Sequence, residues 1–235
     1  MRLYIVRHGD PDYQNDILTS QGELEAQALA ERIADEKPDL LYASPLGRAK
    51  RTAWHSENKT GLKAEILDWA REWNFLTIPE SFMGRVAAWD IPGEIYHKII
   101  DGNYDSSLYS GLTPDESKIS DAFESLAESS DRFLATLGYE KDANSIYRIR
   151  ERSERKIFLF CHNGFGLAYL SYLLSIPYQL VWSSFWLPTT SVTTILFEER
   201  LEGIAVPRAL NVGDTSHLYK KGLPVLPQGV KANYY

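Results

Sequence analysis

Apolar positions along this chain change period several times, and the changes mark out its elements. Arg2 to Val6 (RLYIV) is short, mostly apolar and β-branched, and stops abruptly at Arg7-His8-Gly9-Asp10-Pro11, as a buried strand does. The run from Leu18 then places apolar residues at Leu24, Ala28, Leu29 and Ile33, a helical spacing. Two residues compete to cap it: Ser20, which with Glu23 fits a capping box, and Thr19. Leu40 to Ala43 predicts a second strand, running into Ser44-Pro45 and a helix through Arg48, Arg51 and Trp54, and Ala64 to Leu67 predicts a third. Further on, Ser120 to Leu137 predicts a helix and Ile146 to Ile149 a strand. Lys156 to Phe160 (KIFLF) predicts a buried strand running into Cys161-His162-Asn163-Gly164 and another helix. Val192 to Leu210 reads as two strands of a hairpin or edge pair, and the tail after Leu223 is rich in Pro and Gly.

Between Leu76 and Ser120 the period is lost. Prolines 79, 92 and 114 interrupt an aromatic stretch, which predicts an inserted cap of short elements at about 76–120, too aromatic for a disordered linker. The whole predicts one α/β domain, 1–235. Its fold is a three-layer sandwich with a mostly parallel central sheet, helices on both faces and this inserted cap. In such sheets ligands bind beyond the carboxyl ends of the strands. Arg7-His8-Gly9, Ser44 to Arg48 and His162-Asn163-Gly164 each follow a strand, so segments far apart in sequence converge on one edge.

Charge narrows the function. A net charge of −7 argues against broad binding to nucleic acid or anionic lipid, which needs a basic face. The single cysteine, Cys161, excludes an intrachain disulfide and a Cys-based zinc site. The longest mostly apolar stretch, Leu167 to Ile176, falls short of the roughly 20 residues that cross a bilayer. With no signal-peptide pattern at the N-terminus, the expectation is a cytoplasmic protein without nucleic-acid or membrane partners.

An acidic protein that handles phosphate must gather its arginines locally, and Arg7 and Arg48 do so around His8 and His162. Neutral imidazole, with an ordinary pKa of about 6.5, is a competent nucleophile near neutral pH. The planar fork of arginine suits the non-bridging oxygens of a phosphoryl group.

These residues resemble the histidine phosphatase superfamily, to which cofactor-dependent phosphoglycerate mutase belongs. The matching pieces are Arg7-His8-Gly9, Leu18-Thr19-Ser20-Gln21-Gly22, Ser44-Pro45-Leu46-Gly47-Arg48-Ala49 with Thr52-Ala53, and His162-Asn163-Gly164. Asp214-Thr215-Ser216-His217-Leu218 is a weaker match. They run in family order over almost the whole chain. The resemblance implies a metal-independent, cofactor-free phosphatase of the histidine acid type, acting on a small phosphorylated substrate through a phosphohistidine at His8. It makes Arg7, Arg48 and His162 the phosphate pocket, with Asn163 beside them and Asn15 or Gln14 as a further phosphate contact. It puts the general acid at Glu72, with Asp68 and Glu65 as rivals. The glycine expected after that glutamate is missing, and the other position the family uses for an acid is Asn163.

Other residues carry plainer expectations. Arg51 faces solvent, Cys161 packs, His55 and His97 are exposed or belong to the cap, and His217 braces the loops through hydrogen bonds. Three alternative functions stand beside the phosphatase. A metal hydrolase lacks ligand spacing and would set its cation against arginines. A catalytically dead phosphate-binding module would have lost one of the four central residues. A mutase of the phosphoglycerate type would carry a more basic insertion than one with Arg85, Lys98 and Lys118 against many acids.

Overall fold

The first strand of the chain ends up inside an eight-stranded sheet, because its side chains are apolar on both faces. In the computed structural model the described residues are 1–80, 84–105, 112, 114–143 and 145–230. The first half runs β1 (Arg2–Arg7), β2 (Pro11–Asp12), β3 (Ile17–Leu18), α1 (Ser20–Glu36), β4 (Leu40–Ala43), α2 (Gly47–Thr60), β5 (Ala64–Ile66), β6 (Thr77–Glu80), β7 (Gly84–Ala87) and α3 (Gly93–Ile100). The second half runs α4 (Glu116–Thr136), β8 (Tyr139–Lys141), β9 (Tyr147–Ile149), β10 (Lys156–Cys161), α5 (Asn163–Leu174), α6 (Tyr178–Ser184), β11 (Val192–Leu201), β12 (Ile204–Asp214) and α7 (Ser216–Lys221).

The sheet order is β5-β4-β10-β1-β11-β12-β9-β8. Pairing is parallel from β5 to β1 and antiparallel from β1 to β8, so the sheet is mixed. The parallel arrangement predicted for the sheet describes the half that carries the motifs. The predicted hairpin of β11 and β12 forms, but not at an edge, since β11 pairs with β1 on its other side.

Alternation along the central strands divides the core between two layers. Tyr4, Val6, Phe158 and Phe160 point toward Leu29 and Ile33 of α1 and Ala53 of α2, with the rings of Tyr4 and Phe158 stacked at 4.1 Å. Leu3, Ile5, Ile157 and Leu159 point the other way, into a larger core with Phe133, Leu134, Phe165 and Leu170 of α4 and α5. Truncating a buried ring such as Phe160 to alanine would cost about 3–5 kcal/mol.

One helix start decides between two candidate caps, and another differs from the sequence expectation. Thr19, not Ser20, caps α1: its hydroxyl accepts the Gly22 N–H at 3.0 Å, and Ser20 is the first helical residue. Glu23 is turned sideways to α2 instead of back to the cap. Helix α4 begins four residues before Ser120, because the Asp115 carboxylate caps it by accepting the Lys118 N–H.

Of the predicted insertion, β6, β7 and α3 are described, and residues 81–83, 106–111 and 113 lie outside the described residues. Its Ile78, Val86, Trp89, Ile95 and Tyr96 are buried in the larger core, where Trp89 and Tyr96 meet Trp182 of α6 edge to face. No helix among the described residues is long and apolar enough to cross a membrane.

Candidate active site

Three parallel strands end beside one another, and each delivers part of one cluster. His8 follows β1, Ser44 and Arg48 follow β4, and His162 follows β10. The register holds them: His8 N–H donates to the Cys161 carbonyl and Ser44 N–H to the Phe160 carbonyl. His8, Arg7, Arg48 and His162 are all at most 4% exposed. The two histidine rings lie 5.2 Å apart.

Close approach of two backbones makes this loop possible. A Cβ on Gly9 would fall 2.7 Å from the Gly22 carbonyl oxygen at the start of α1, so only glycine allows the contact. Gly9 N–H donates to the Thr52 hydroxyl, which donates in turn to the Arg48 carbonyl, tying the loop to α2.

The hydrogen bonds fix the tautomer of His8. Nδ1 lies 2.7 Å from the Gly9 carbonyl, which can only accept, so Nδ1 carries the proton and Nε2 keeps its lone pair. Arg48 Nε donates to that Nε2 at 3.2 Å. Burial, then the guanidinium charges of Arg7 and Arg48, hold the His8 pKa well below its ordinary value. His162 is depressed too, by burial first and then by His8, Arg48 and Arg7. Its Nε2 is 2.7 Å from the Ser44 hydroxyl, and its Nδ1 is buried without a partner among the described residues.

Arg48 is held by a residue the sequence reading passed over. Asp16 adopts the left-handed region (φ 53°), which an aspartate tolerates better than most residues, and sets its carboxylate against the first turn of α2. It accepts from Gly47 N–H at 2.6 Å and from Arg48 Nη1 at 2.6 Å, supplying the cap that Leu46 cannot. These contacts lower its own pKa against the opposing cost of burial, which is the largest single effect. Tyr13, largely exposed, covers the same corner, with the Arg48 guanidinium 5.3 Å from its ring centroid.

Glu72 lies at the start of α5. One carboxylate oxygen accepts from Gly164 N–H at 3.1 Å, the other from Phe165 N–H at 2.8 Å and Trp73 N–H at 3.2 Å. Burial raises its pKa, opposed by those three N–H groups and by the Arg48 charge, and burial outweighs them. A Cβ on Gly164 would meet the Trp89 ring at 2.5 Å, so the insertion seats directly on this helix start. The rival acids stand apart: Glu65 is exposed, and Asp68 is exposed with Arg71 its ion-pair partner at 3.9 Å.

The two asparagines are engaged by protein groups. Asn15 is exposed and donates to the Asp12 carboxylate at 2.7 Å, while the Gln14 backbone N–H bonds the same carboxylate. Asn163 is buried, and its side-chain oxygen accepts from Leu187 N–H.

Behind His8 lies a brace. Thr190 takes positive φ (55°), a strained conformation for a β-branched residue, and donates its N–H to the His8 carbonyl. The Thr190 hydroxyl donates to the Thr189 carbonyl, so it accepts from His217 Nε2 at 3.1 Å. His217 Nδ1 is then the acceptor facing Arg32, which also pairs with Asp214 at 2.7 Å. Burial and then Arg32 bring the His217 pKa down to about 4.

Of the remaining residues, Arg51 grips both carboxylate oxygens of Glu23, at 2.7 and 2.9 Å, on the outside of α2. His55 is not exposed as expected: its side chain is 9% exposed and bonds the same Glu23. His97 is exposed on α3, and Cys161 is buried, its pKa raised by burial.

Comparison with known proteins bears on this cluster. Residues 3–82 match the family model of the histidine phosphatase superfamily, branch 1. A protein of Hydrogenobacter thermophilus that bears the name "Putative phosphoserine phosphatase 2" is 31% identical over 83 residues, 32% of this chain. The chain matches 41% of the length of that curated relative. Among solved structures, a phosphoserine phosphatase mutant from Entamoeba histolytica in complex with phosphoserine superposes with a TM-score of 0.59. Its identity is 20%, covering 92% of this chain and 98% of that one. The mycobacterial glucosyl-3-phosphoglycerate phosphatase in complex with inorganic phosphate gives 0.60 at 21% identity, with the same coverage. At those identities the likeness is one of fold.

Proposed function

We propose that the chain, whose residues 3–82 match the family model of the histidine phosphatase superfamily, branch 1, hydrolyses phosphate monoesters through a phosphohistidine at His8, with no metal ion. The observation that carries this reading is the fixed tautomer of His8, whose Nε2 keeps the lone pair and is the only ring atom able to attack.

The phosphoryl group enters between Arg7, Arg48 and His162. Its oxygens draw Arg48 Nε away from His8, freeing the lone pair. An assignment in which the Ser44 hydroxyl donates to His162 Nε2 puts the proton of that ring on Nδ1, as a donor for a phosphoryl oxygen. Positive charge for the equatorial oxygens comes from the arginines, as phosphoryl transfer requires. Nε2 then attacks phosphorus, the ester P–O bond breaks, and Glu72 protonates the departing alkoxide. The Nδ1–H bond to the Gly9 carbonyl stabilises the imidazolium that forms. A water molecule, giving a proton back to Glu72, next attacks phosphorus, and the P–N bond breaks to leave neutral His8 and phosphate. The raised pKa of Glu72 favours the acid form that the first step needs. The substrate class is a small phosphorylated metabolite, and phosphoserine and glucosyl-3-phosphoglycerate are the esters to try first, after the relatives.

Hydrolysis of nitrophenyl phosphate and these esters in excess chelator tests the reading, together with trapping of an acid-labile phosphoenzyme. Activity that disappears with chelator and returns with a divalent ion overturns it.

A further inference from the structure

The far end of the chain lies against the phosphate pocket. The Gln228 carbonyl accepts from Arg7 Nη1 at 3.0 Å and from Trp186 Nε1 at 3.0 Å. Its side-chain amide donates to Asp10 at 2.7 Å, and the other Asp10 oxygen accepts from the Thr19 hydroxyl at 2.6 Å. One residue of the tail is therefore pinned to the loop that bears His8 and to the cap of α1. Arg7 Nη1 has two protons, and the second goes to the Leu187 carbonyl at 2.6 Å. Both protons of that nitrogen point at protein carbonyls. Arg7 Nε, by contrast, is buried and has no partner among the described residues. A guanidinium clamped at Nη1 turns its Nε edge away from the clamp, so Nε is a buried donor left for a ligand oxygen.

We propose that Gln228 is a positioning residue: its carbonyl aims Arg7 at the phosphoryl group, and its amide, held by Asp10, fixes the carbonyl. The inference rests on the phosphatase reading above. Arginine carries much rotamer entropy, and a guanidinium fixed in advance does not lose it on binding. Arg7 meets the phosphoryl oxygens in ground and transition states alike, so loosening it weakens binding more than turnover.

The test compares Gln228→Ala, Gln228→Glu and the pair Gln228→Glu with Asp10→Asn in the full chain. It reads KM and kcat for nitrophenyl phosphate and the Kd of inorganic phosphate. Gln228→Ala should raise KM and Kd about tenfold and leave kcat within about threefold. Gln228→Glu sets two carboxyl groups face to face, which share a proton in acid and repel as pH rises. Its KM defect should be small near pH 5 and grow toward pH 8 relative to the parent, on the order of tenfold or more. Adding Asp10→Asn reverses the donor and acceptor and should restore KM and remove the extra pH dependence. Simple loss of packing in the tail would produce neither effect. If all three variants match an active parent, or lose kcat at constant KM, the proposal is overturned while the phosphatase reading stands. If the parent itself neither binds phosphate nor turns over, the phosphatase reading fails and this inference falls with it.

Discussion

The two halves of the sheet contribute to the site in different ways. From β5 to β1 the strands are parallel, so all of their carboxyl ends face one edge, and His8, Arg48 and His162 meet there. From β11 to β8 the strands alternate in direction, and only the start of β11 and the end of β12 come to that edge. Those two ends deliver Thr190 and, just after Asp214, His217, which hold the His8 backbone from behind. Parallel strands collect reactive groups from distant parts of the chain, and the antiparallel strands beside them supply rigidity. Loss of a residue from the first half should therefore remove chemistry. Loss from the second should alter stability before it alters the reaction.

The sharpest way to break that division is His8→Ala, which should lower turnover by at least about 10⁴-fold and abolish the phosphoenzyme. Rapid-quench labelling checks it, and residual labelling at another residue would move the nucleophile. Glu72→Gln comes next. It should slow hydrolysis of alkyl phosphates by about 10²–10⁴-fold and nitrophenyl phosphate much less, because nitrophenolate departs without a proton. Equal slowing of both esters would send the search to Asp68.

On the antiparallel side, His217→Asn should leave kcat at neutral pH within about tenfold and change the acid limb of stability instead. His217 has a pKa of about 4 in the folded chain against an ordinary 6.5, so the unfolded chain binds more protons between those values. Folded stability is therefore complete above about pH 6.5 and is lost as pH falls toward 4, by on the order of 3 kcal/mol for this residue. Burial of His8 and His162 acts in the same direction, while the raised pKa values of Glu25 and Glu72 oppose it. Melting curves across that range should be flatter for His217→Asn. The smallest effect belongs to Arg51→Ala, which removes an outward ion pair with Glu23 and should cost at most about 1 kcal/mol and no more than about twofold in rate. A rate loss near that of His8→Ala would mean that α2 presents its other face to substrate.

What could be seen in the sequence was whatever is local. Buried strands announce themselves by short apolar runs, and each motif sits where such a run stops, so Arg7-His8-Gly9 and His162-Asn163-Gly164 fall on one edge once the strands are parallel. The choice of Thr19 over Ser20 as the cap depends on where α1 meets the Asp10 loop, which periodicity does not encode. Asp16 was passed over because its partners, Gly47 and Arg48, lie some thirty residues away, and because a left-handed aspartate in a polar loop looks like any turn. Thr190 and Gln228 are legible only in three dimensions. The Thr190 N–H meets a backbone carbonyl, the Gln228 carbonyl meets an arginine nearly the whole chain distant, and a backbone carbonyl leaves no mark in a sequence. The place of β11 inside the sheet has the same cause: a hairpin reads alike at an edge and in the middle.

The bond from Arg48 to the lone pair of His8 gives the resting molecule a chemical discrimination of its own. An imidazole nitrogen in water reacts with many neutral acylating and alkylating agents. Here that nitrogen is covered by a cation, which only a competing anion can coax aside. A neutral electrophile offers nothing to the guanidinium and meets a lone pair already engaged in a hydrogen bond. On the phosphatase reading proposed above, a doubly charged ester would unmask the nitrogen by the act of binding, and reactivity would follow the group that displaces the guanidinium.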